Sequence, residues 1–496
     1  MIQNVLVLGA GSAGLLAAIT LRKKLPQLAV RLVRSTDIGV IGVGEGTTVA
    51  LPKHLFSFLG LSQQRFYAEA EPIWKLGIRF IWGPRPYFDY TFSYQLDGQW
   101  SSLTRPNGFY AGEEFRGAGV ASALMEAGKV FLRDARKGGV PDMSLPFGFH
   151  IENLKLVAAL EKVAMELGVE FVEGKVSGVE KGPEGIAAVC LEDGRREAAD
   201  FFVDASGFRG ELVERALEEP FVSYDRALFC DRAVIGGWER TDEPIAAYTT
   251  AETMEAGWAW QIEHEHHVNR GYVYSSPAIS DEAACEEFLR KNPKAPQSPR
   301  VVKFRSGRLR RMWVDNVVAI GNSAGFVEPL EASALETVVL HSQHLVTLLE
   351  HAALQPTPTL RAVYNQFAAD IFDEIRDFLA LHYQLNTRLE NPFWEHCRRD
   401  TDLGRLGPVL EFYRENGPSA LVRHLLPTQF SNFGVEGYLA MLVGNRAPYQ
   451  ARAADTAAEQ QAWQQVRAML AAQAQQGYTV AEALEATRSP HWRWNT

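Results

Sequence analysis

Near its start the chain carries Asn4-Val5-Leu6-Val7-Leu8, then Gly9-Ala10-Gly11-Ser12-Ala13-Gly14, then Leu15 to Leu25. An apolar run that ends in glycine reads as a buried parallel strand. Beyond the glycines, Ala13, Leu16, Ala17, Thr20 and Leu21 recur at helical spacing. Arg22, Lys23 and Lys24 suit the negative end of a helix dipole, and Pro26 stops the helix. Strand, glycine turn and helix in that order make the opening unit of a dinucleotide-binding fold. Gly9 allows the tight turn, Gly11 lets backbone approach a pyrophosphate, and Gly14 lets the helix lie close on the strand. The helix N-terminus, with Ser12 and Ala13, then meets the phosphate charge. A glycine-rich turn without ligand is the alternative, but both flanks have the type that the site requires.

The unit departs from pattern once. The next apolar strand, Ala29 to Val33, should end in an acidic residue for the ribose hydroxyls, about 20 residues on. Arg34 stands there, with Asp37 three places later. Arg34 fits a phosphorylated ribose, as in NADP, or else the ribose contact is made elsewhere.

A length of 496 residues allows two or three domains or one large α/β unit. With 46% apolar and 22% charged residues, the composition is that of an ordinary soluble globular chain. No run of 18 apolar residues exists, so no membrane span is expected. The first apolar run is too short for a signal peptide and already serves as a strand, which makes a cytoplasmic location the expectation. Cys190, Cys230, Cys285 and Cys397 lack metal-type spacing and suit a reducing compartment. The formal net charge of -10 argues against nucleic acid and anionic membranes as partners.

Further along, Gly42, Gly44 and Gly46 alternate within Ile41 to Thr48, which suggests a loop whose backbone lies against a flat ligand rather than a mobile surface loop. Trp74 to Trp82 reads as one strand with Trp74, Leu76, Ile78, Phe80 and Trp82 on one face. On this pattern alone Lys75, on the other face, is a solvated lysine. After His150 a helix with a Leu154, Val157, Leu160 and Val163 stripe is expected. Phe201-Phe202-Val203-Asp204 returns to the sheet near the cofactor, and Val317 to Ile320 does the same ahead of Gly321 and Asn322. Gly257 to Glu263 alternates, which sets Trp258, Trp260 and Ile262 on one face. His264-Glu265-His266-His267 reads as an exposed polar turn, because a strand puts only two of these histidines on one side and zinc needs more ligands. Ser333 and Glu336 have capping-box spacing, so a helix starts there, its free N–H groups facing whatever Glu331 faces. From Thr359 onward the chain is helical: Val363 to Leu385 is long and amphipathic, Asp455 to Gln475 is polar, and Thr479 with Glu482 caps a last short helix.

With these residues in view, the chain resembles the flavin-dependent halogenases of the tryptophan-halogenase type over nearly its whole length. The likeness is carried by Gly9 to Gly14, by Gly42-Val43-Gly44-Glu45-Gly46-Thr47, by Trp74-Lys75-Leu76-Gly77, by Trp258-Ala259-Trp260-Gln261-Ile262 and by Glu328-Pro329-Leu330-Glu331. His382-Tyr383 and Pro392-Phe393-Trp394 add to it. The glycine fingerprint is common to many flavoproteins; the tryptophan pair together with the lysine is more specific.

The resemblance implies an α/β fold: a Rossmann-type FAD-binding module with inserted β-sheet segments over residues 1–355, and a helical region over 356–496 that completes the substrate site. It implies FAD rather than NADP, held by Gly9, Gly11, Ser12, Ala13, Gly14, Arg34, Gly42, Gly44, Glu45, Gly46, Thr47, Asp204, Gly321 and Asn322. Reduced flavin would come from a separate flavin reductase, and halide would be oxidised to hypohalous acid. That oxidant would cross a tunnel to Lys75, which hydrogen-bonds it when protonated or forms a haloamine when neutral. Glu331 would take the proton from the ring. Trp258, Trp260 and Ile262 would wall the substrate, an electron-rich aromatic of indole type, from the flavin. Ser333 and Ala334 would adjoin the halide, and no step needs a metal.

Three departures accompany the likeness. The family's WxWxIP ends here in Ile262-Glu263, without the proline. Its ESTG is Glu331-Ala332-Ser333-Ala334, so a Cβ replaces the glycine of the halide loop, which favours bromide over chloride. Arg34 replaces an acidic residue. The competing readings are an FAD-dependent aromatic monooxygenase, a flavin- or indole-binding protein without turnover, and an NADP dehydrogenase supported by Arg34 alone.

Overall fold

Val5, Leu6 and Val7 are fully buried, because the strand they form, Asn4–Leu8, lies between parallel neighbours on both sides of a six-stranded sheet. The computed structural model describes residues 1–35, 44–92, 119–428, 431–450 and 456–494. In space the sheet runs Glu170–Glu173, Ala29–Arg34, Asn4–Leu8, Phe201–Asp204, Val317–Ala319 and Trp313–Val314, all parallel except the last hairpin. The chain leaves the opening strand in one direction for two strands and later returns on its other side. That reversal opens a crevice beyond the carboxyl ends of Asn4–Leu8 and Phe201–Asp204, where doubly wound folds bind ligands.

A seven-stranded sheet stands apart from the first: Arg300–Lys303, Arg232–Glu239, His267–Tyr274, Gly257–Glu263, Tyr248–Met254, Gly77–Ile81 and Phe88–Thr91. A small antiparallel sheet of Gly44–Gly46, Gly148–Glu152 and Ile73–Lys75 adjoins it. Trp74 to Trp82 is therefore not one strand. The chain changes sheets at Leu76, whose N–H donates to the Ala247 carbonyl at 2.8 Å and whose own carbonyl accepts from Phe92 N–H at 3.0 Å. Trp74, Lys75, Leu76, Gly77 and Ile78 are all buried, so alternation carries on unbroken through the corner and hides it. Lys75 is the last residue before the turn.

The helix after His150 runs Asn153–Glu166, but its buried stripe is Leu156, Val157, Leu160 and Ala164. Leu154 is 62% exposed, since the face that packs on helix Ser12–Lys24 lies two residues further on. In the C-terminal part, Pro358–Leu385 is the longest helix, and Thr479 and Glu482 form the expected capping box ahead of Val480–Arg488. One contiguous apolar core joins the crevice sheet to these helices, from Val5 through Leu349 to Phe378 and Leu442. Among the described residues no helix is long and apolar enough to cross a membrane.

Candidate functional site

The crevice is shaped by missing side chains. A Cβ on Gly9 would lie 2.3 Å from the Ala205 carbonyl oxygen, and one on Gly14 would lie 1.9 Å from the Gly9 carbonyl oxygen. Backbone meets backbone at both. Above Gly11, in contrast, a Cβ would meet nothing within 4 Å, and no side chain caps the helix that begins at Ser12. Open space over the middle glycine and an uncapped helix N-terminus are what a pyrophosphate requires. Gly321 closes the far side with φ +73, its Cβ position 2.7 Å from the Ala13 Cβ, and Asn322 follows it half-buried.

Other candidates are engaged elsewhere. The Asp204 carboxylate accepts from the Ser206 amide and hydroxyl and from Leu212 and Val213 N–H, at 2.6 to 3.1 Å, so it builds the turn beside the crevice and offers no free oxygen. Arg34 pairs with Glu173 and with Glu161, and its guanidinium lies 4.8 Å from the Phe171 ring centre, which uses up the cation a ribose phosphate would need. The Thr47 hydroxyl accepts from Phe149 N–H at 2.8 Å and donates to the Thr48 carbonyl at 3.1 Å. Glu45 is half-buried, and burial pushes its carboxyl up to about 7. Gly42 lies outside the described residues.

Gly44 and Gly46 are strand residues, and protein side chains press on them. A Cβ on Gly44 would lie 2.1 Å from Asn269 Nδ2 and 2.3 Å from His264 Nε2. His264 is consequently buried and not in an exposed turn; its ring stacks on His267 at 4.4 Å, and burial pulls it down to about 3. Among the described residues no cluster of histidine, cysteine and carboxylate side chains could hold a metal ion.

Lys75 lies in the interior, shut off from solvent beside Gly46. Its Nζ is buried and has no hydrogen-bond partner among the described residues. A Cβ on Gly46 would lie 3.4 Å from that nitrogen, 3.3 Å from the Ala332 Cβ and 3.5 Å from Thr249 Oγ1, so the missing side chain of Gly46 makes the room. The Phe92 ring centre is 5.4 Å away. Burial pulls the amine down to about 7, against the upward pull of Glu331 and Glu336. Desolvation disfavours the ammonium, and the nearby carboxyls favour it.

Glu331 ends the 3-10 turn Pro329–Glu331 and is buried, its Oε1 2.7 Å from His382 Nε2. Ala332 follows with φ +56, a left-handed conformation that costs an L-residue about 1–2 kcal/mol. Helix Ala334–His351 then begins, with Ser333 before it, but the expected capping box does not form. Ser333 has helical φ and ψ, so its hydroxyl does not cap, and the Glu336 carboxyl turns to Thr48 instead. Burial and Glu374 push that carboxyl up to about 8. Ser333 and Ala334 thus lie at a helix N-terminus without a side-chain cap.

Trp258 and Trp260 share a face as alternation requires, their ring centres 6.2 Å apart. Trp260 lies over Gly271 on the next strand, and the Trp258 indole N–H donates to Glu328 Oε2 at 3.4 Å. The Tyr383 hydroxyl donates to the same oxygen at 2.9 Å. Ile262 continues the buried strand. Where the motif's proline would stand, Glu263 N–H donates to His150 Nδ1 at 3.3 Å, and His150 Nε2–H donates to Thr249 Oγ1 at 2.8 Å. Burial and Lys75 hold His150 well below the usual histidine range, hence neutral. His150 and Thr249 were not singled out by pattern, and Glu336 was only as a helix cap. Their signal is a polar residue inside an otherwise apolar run, Leu335-Glu336-Thr337-Val338 or Phe149-His150-Ile151.

A family model described as tryptophan halogenase matches residues 4–462. Tryptophan 7-halogenase RebH of Lentzea aerocolonigenes is 32% identical over 419 residues, covering 79% of this chain and 78% of that protein. Tryptophan 6-halogenase SttH of Streptomyces toxytricini is 31% identical over 481 residues, covering 90% of each. Among solved structures, MibH, a lanthipeptide tryptophan 5-halogenase, superposes with a TM-score of 0.89 at 37% identity, over 98% of this chain and 93% of that one.

Proposed function

Since the chain belongs to the family of flavin-dependent tryptophan halogenases, we propose that it places a halogen, bromide in preference to chloride, on the indole ring of a tryptophan-type substrate. The observation that carries this reading is Lys75, a buried amine without a hydrogen-bond partner among the described residues, in one dry chamber with Glu331.

The crevice fits FAD, whose pyrophosphate would be held by Gly9, Gly11, Ser12, Ala13 and Gly14. FAD, delivered reduced by a separate flavin reductase, supplies with oxygen the oxidation of halide to hypohalous acid. Trp258, Trp260 and Glu328 separate that chemistry from the aromatic. The uncapped start of helix Ala334–His351 offers N–H groups to the halide.

An amine near 7 is largely neutral in mildly alkaline solution, which favours attack of Nζ on the halogen. The N–X bond forms as the O–X bond breaks and water leaves. Ring carbon then takes the halogen from nitrogen, the ring proton goes to Glu331, and Nζ regains from the carboxyl side the proton it gave to the departing water, which restores the amine. Water exclusion protects the haloamine from hydrolysis.

Turnover with reduced FAD, oxygen, bromide and a panel of indoles, read by mass spectrometry, tests the reading. The panel includes free tryptophan and tryptophan within a peptide, the latter because MibH, at 37% identity, is a lanthipeptide halogenase. Products that gain oxygen instead of bromine would support an aromatic monooxygenase. No product with any indole would support a binding protein.

A further inference from the structure

We propose that His382 acts with Glu331 as a two-residue proton acceptor, His382 being a positioning residue that holds one carboxylate oxygen and takes up charge when the other receives the ring proton. This rests on the reading of Glu331 as the base.

The geometry fixes the tautomer. His382 Nδ1 lies 2.8 Å from the Phe378 carbonyl oxygen, one helical turn earlier. A carbonyl only accepts, so Nδ1 carries hydrogen. Nε2 then faces Glu331 Oε1 at 2.7 Å. A neutral imidazole protonated at Nδ1 has a lone pair on Nε2, and a carboxylate has only lone pairs. Two lone pairs would repel at that distance, so a proton lies between them. It belongs formally to an imidazolium or to a carboxylic acid, and in either case Oε1 is engaged and Oε2 is left for the substrate.

The imidazole is also locked in place. The Phe378 and Phe80 rings lie 4.9 and 5.2 Å from it, and the Trp82 indole N–H donates to the His382 carbonyl at 2.9 Å. Both partners are buried, so no solvent competes for the shared proton.

In the chemical step the ring already bears the new C–X bond. The C–H electron pair returns to the ring, and the proton goes to Oε2. The shared proton then rests on Nε2. The pair passes from one proton to two, and the positive charge leaves the ring for the imidazolium.

His382→Gln tests this, since glutamine offers an N–H toward Oε1 but cannot accept a proton. With reduced FAD, oxygen, bromide and the indole that the panel identifies, kcat should fall about 10²-fold, the lower range for general base catalysis, with KM for the aromatic unchanged. Substrate deuterated at the halogenated carbon should turn over more slowly in the variant and not in the wild type, because proton removal has become rate-limiting. In a Glu331→Gln background, His382→Gln should cost nothing further. Wild-type turnover in His382→Gln, or equal losses in both backgrounds, would overturn the proposal. If that variant does not fold, His382→Asn, which can keep the bond to Phe378 but not reach Glu331, should show the same kcat loss. Normal turnover in Glu331→Gln alone removes the base reading and this proposal with it. Slow Glu331→Gln beside fast His382→Gln removes only this proposal.

Discussion

In the crevice, side chains are missing so that backbone can touch backbone, Gly9 against Ala205 and Gly14 against Gly9, and so that Gly321 can lie on the Ala13 methyl. In the chamber, ionisable side chains are crowded together away from water: Lys75, Glu331, Glu336 and His382 are all buried. The first site recognises by shape and helix polarity. The second alters reactivity through desolvation, which pulls the Lys75 amine down and pushes the Glu336 carboxyl up. Damage to one should therefore look unlike damage to the other.

The sharpest break is Gly14→Ala. Its Cβ would meet the Gly9 carbonyl oxygen at 1.9 Å, so the variant should lose bound FAD and at least about 3 kcal/mol of stability, read by flavin retention and denaturant unfolding. Lys75→Ala should keep its bound FAD. It should instead abolish halogenated indole while hypohalous acid still escapes to a chemical trap, and halogenation within tenfold of wild type would refute the role of the lysine. Glu331→Gln should lower turnover by about 10²–10⁴ with aromatic binding little changed, as expected for loss of a general base.

A smaller effect follows from titration. Lys75 is held near 7, below its unfolded value of about 10.4, so between these values the unfolded chain binds more protons than the folded one. Its contribution to stability is present above the unfolded value and lost as pH falls through 7. The unfolding free energy of wild type minus that of Lys75→Met should rise with pH over that window, and haloamine formation should rise with it. A flat difference would mean that the amine is not desolvated.

The smallest effect is expected at the halide loop. Its left-handed residue is Ala332 and not Ala334. Ala332→Gly should stabilise by about 1 kcal/mol through relief of that strain. Ala334→Gly should raise chloride use modestly, measured by competition between equal chloride and bromide. Mainly chlorinated product from the wild type would remove the bromide preference.

The same contrast explains what could be read from sequence. The opening strand, its three glycines and the following helix are consecutive in the chain, where period and spacing carry the information. The chamber gathers Gly46, Lys75, His150, Thr249, Glu331, Glu336 and His382 from six separated stretches, and no local pattern joins them. Lys75 became visible only through family likeness, since alternation alone made it a surface residue. The corner at Leu76 stayed hidden because both faces there are buried. Arg34 and Asp204 looked like ligands to a cofactor because their place along the strand is right, yet partners distant in sequence, or turned back from the next loop, hold their charges.

Replacement of the motif's proline by Glu263 gives a hydrogen-bonded relay its direction. With Glu263 N–H pointing at Nδ1, the His150 imidazole is polarised one way only, from wall strand toward Thr249. The threonine oxygen receives that hydrogen beside the space that Gly46 leaves open, which the lysine also borders. The relay thus sets a neutral imidazole, and no further positive charge, near the amine. A proline at 263 would remove the N–H, and nothing would then decide which imidazole nitrogen carries the hydrogen.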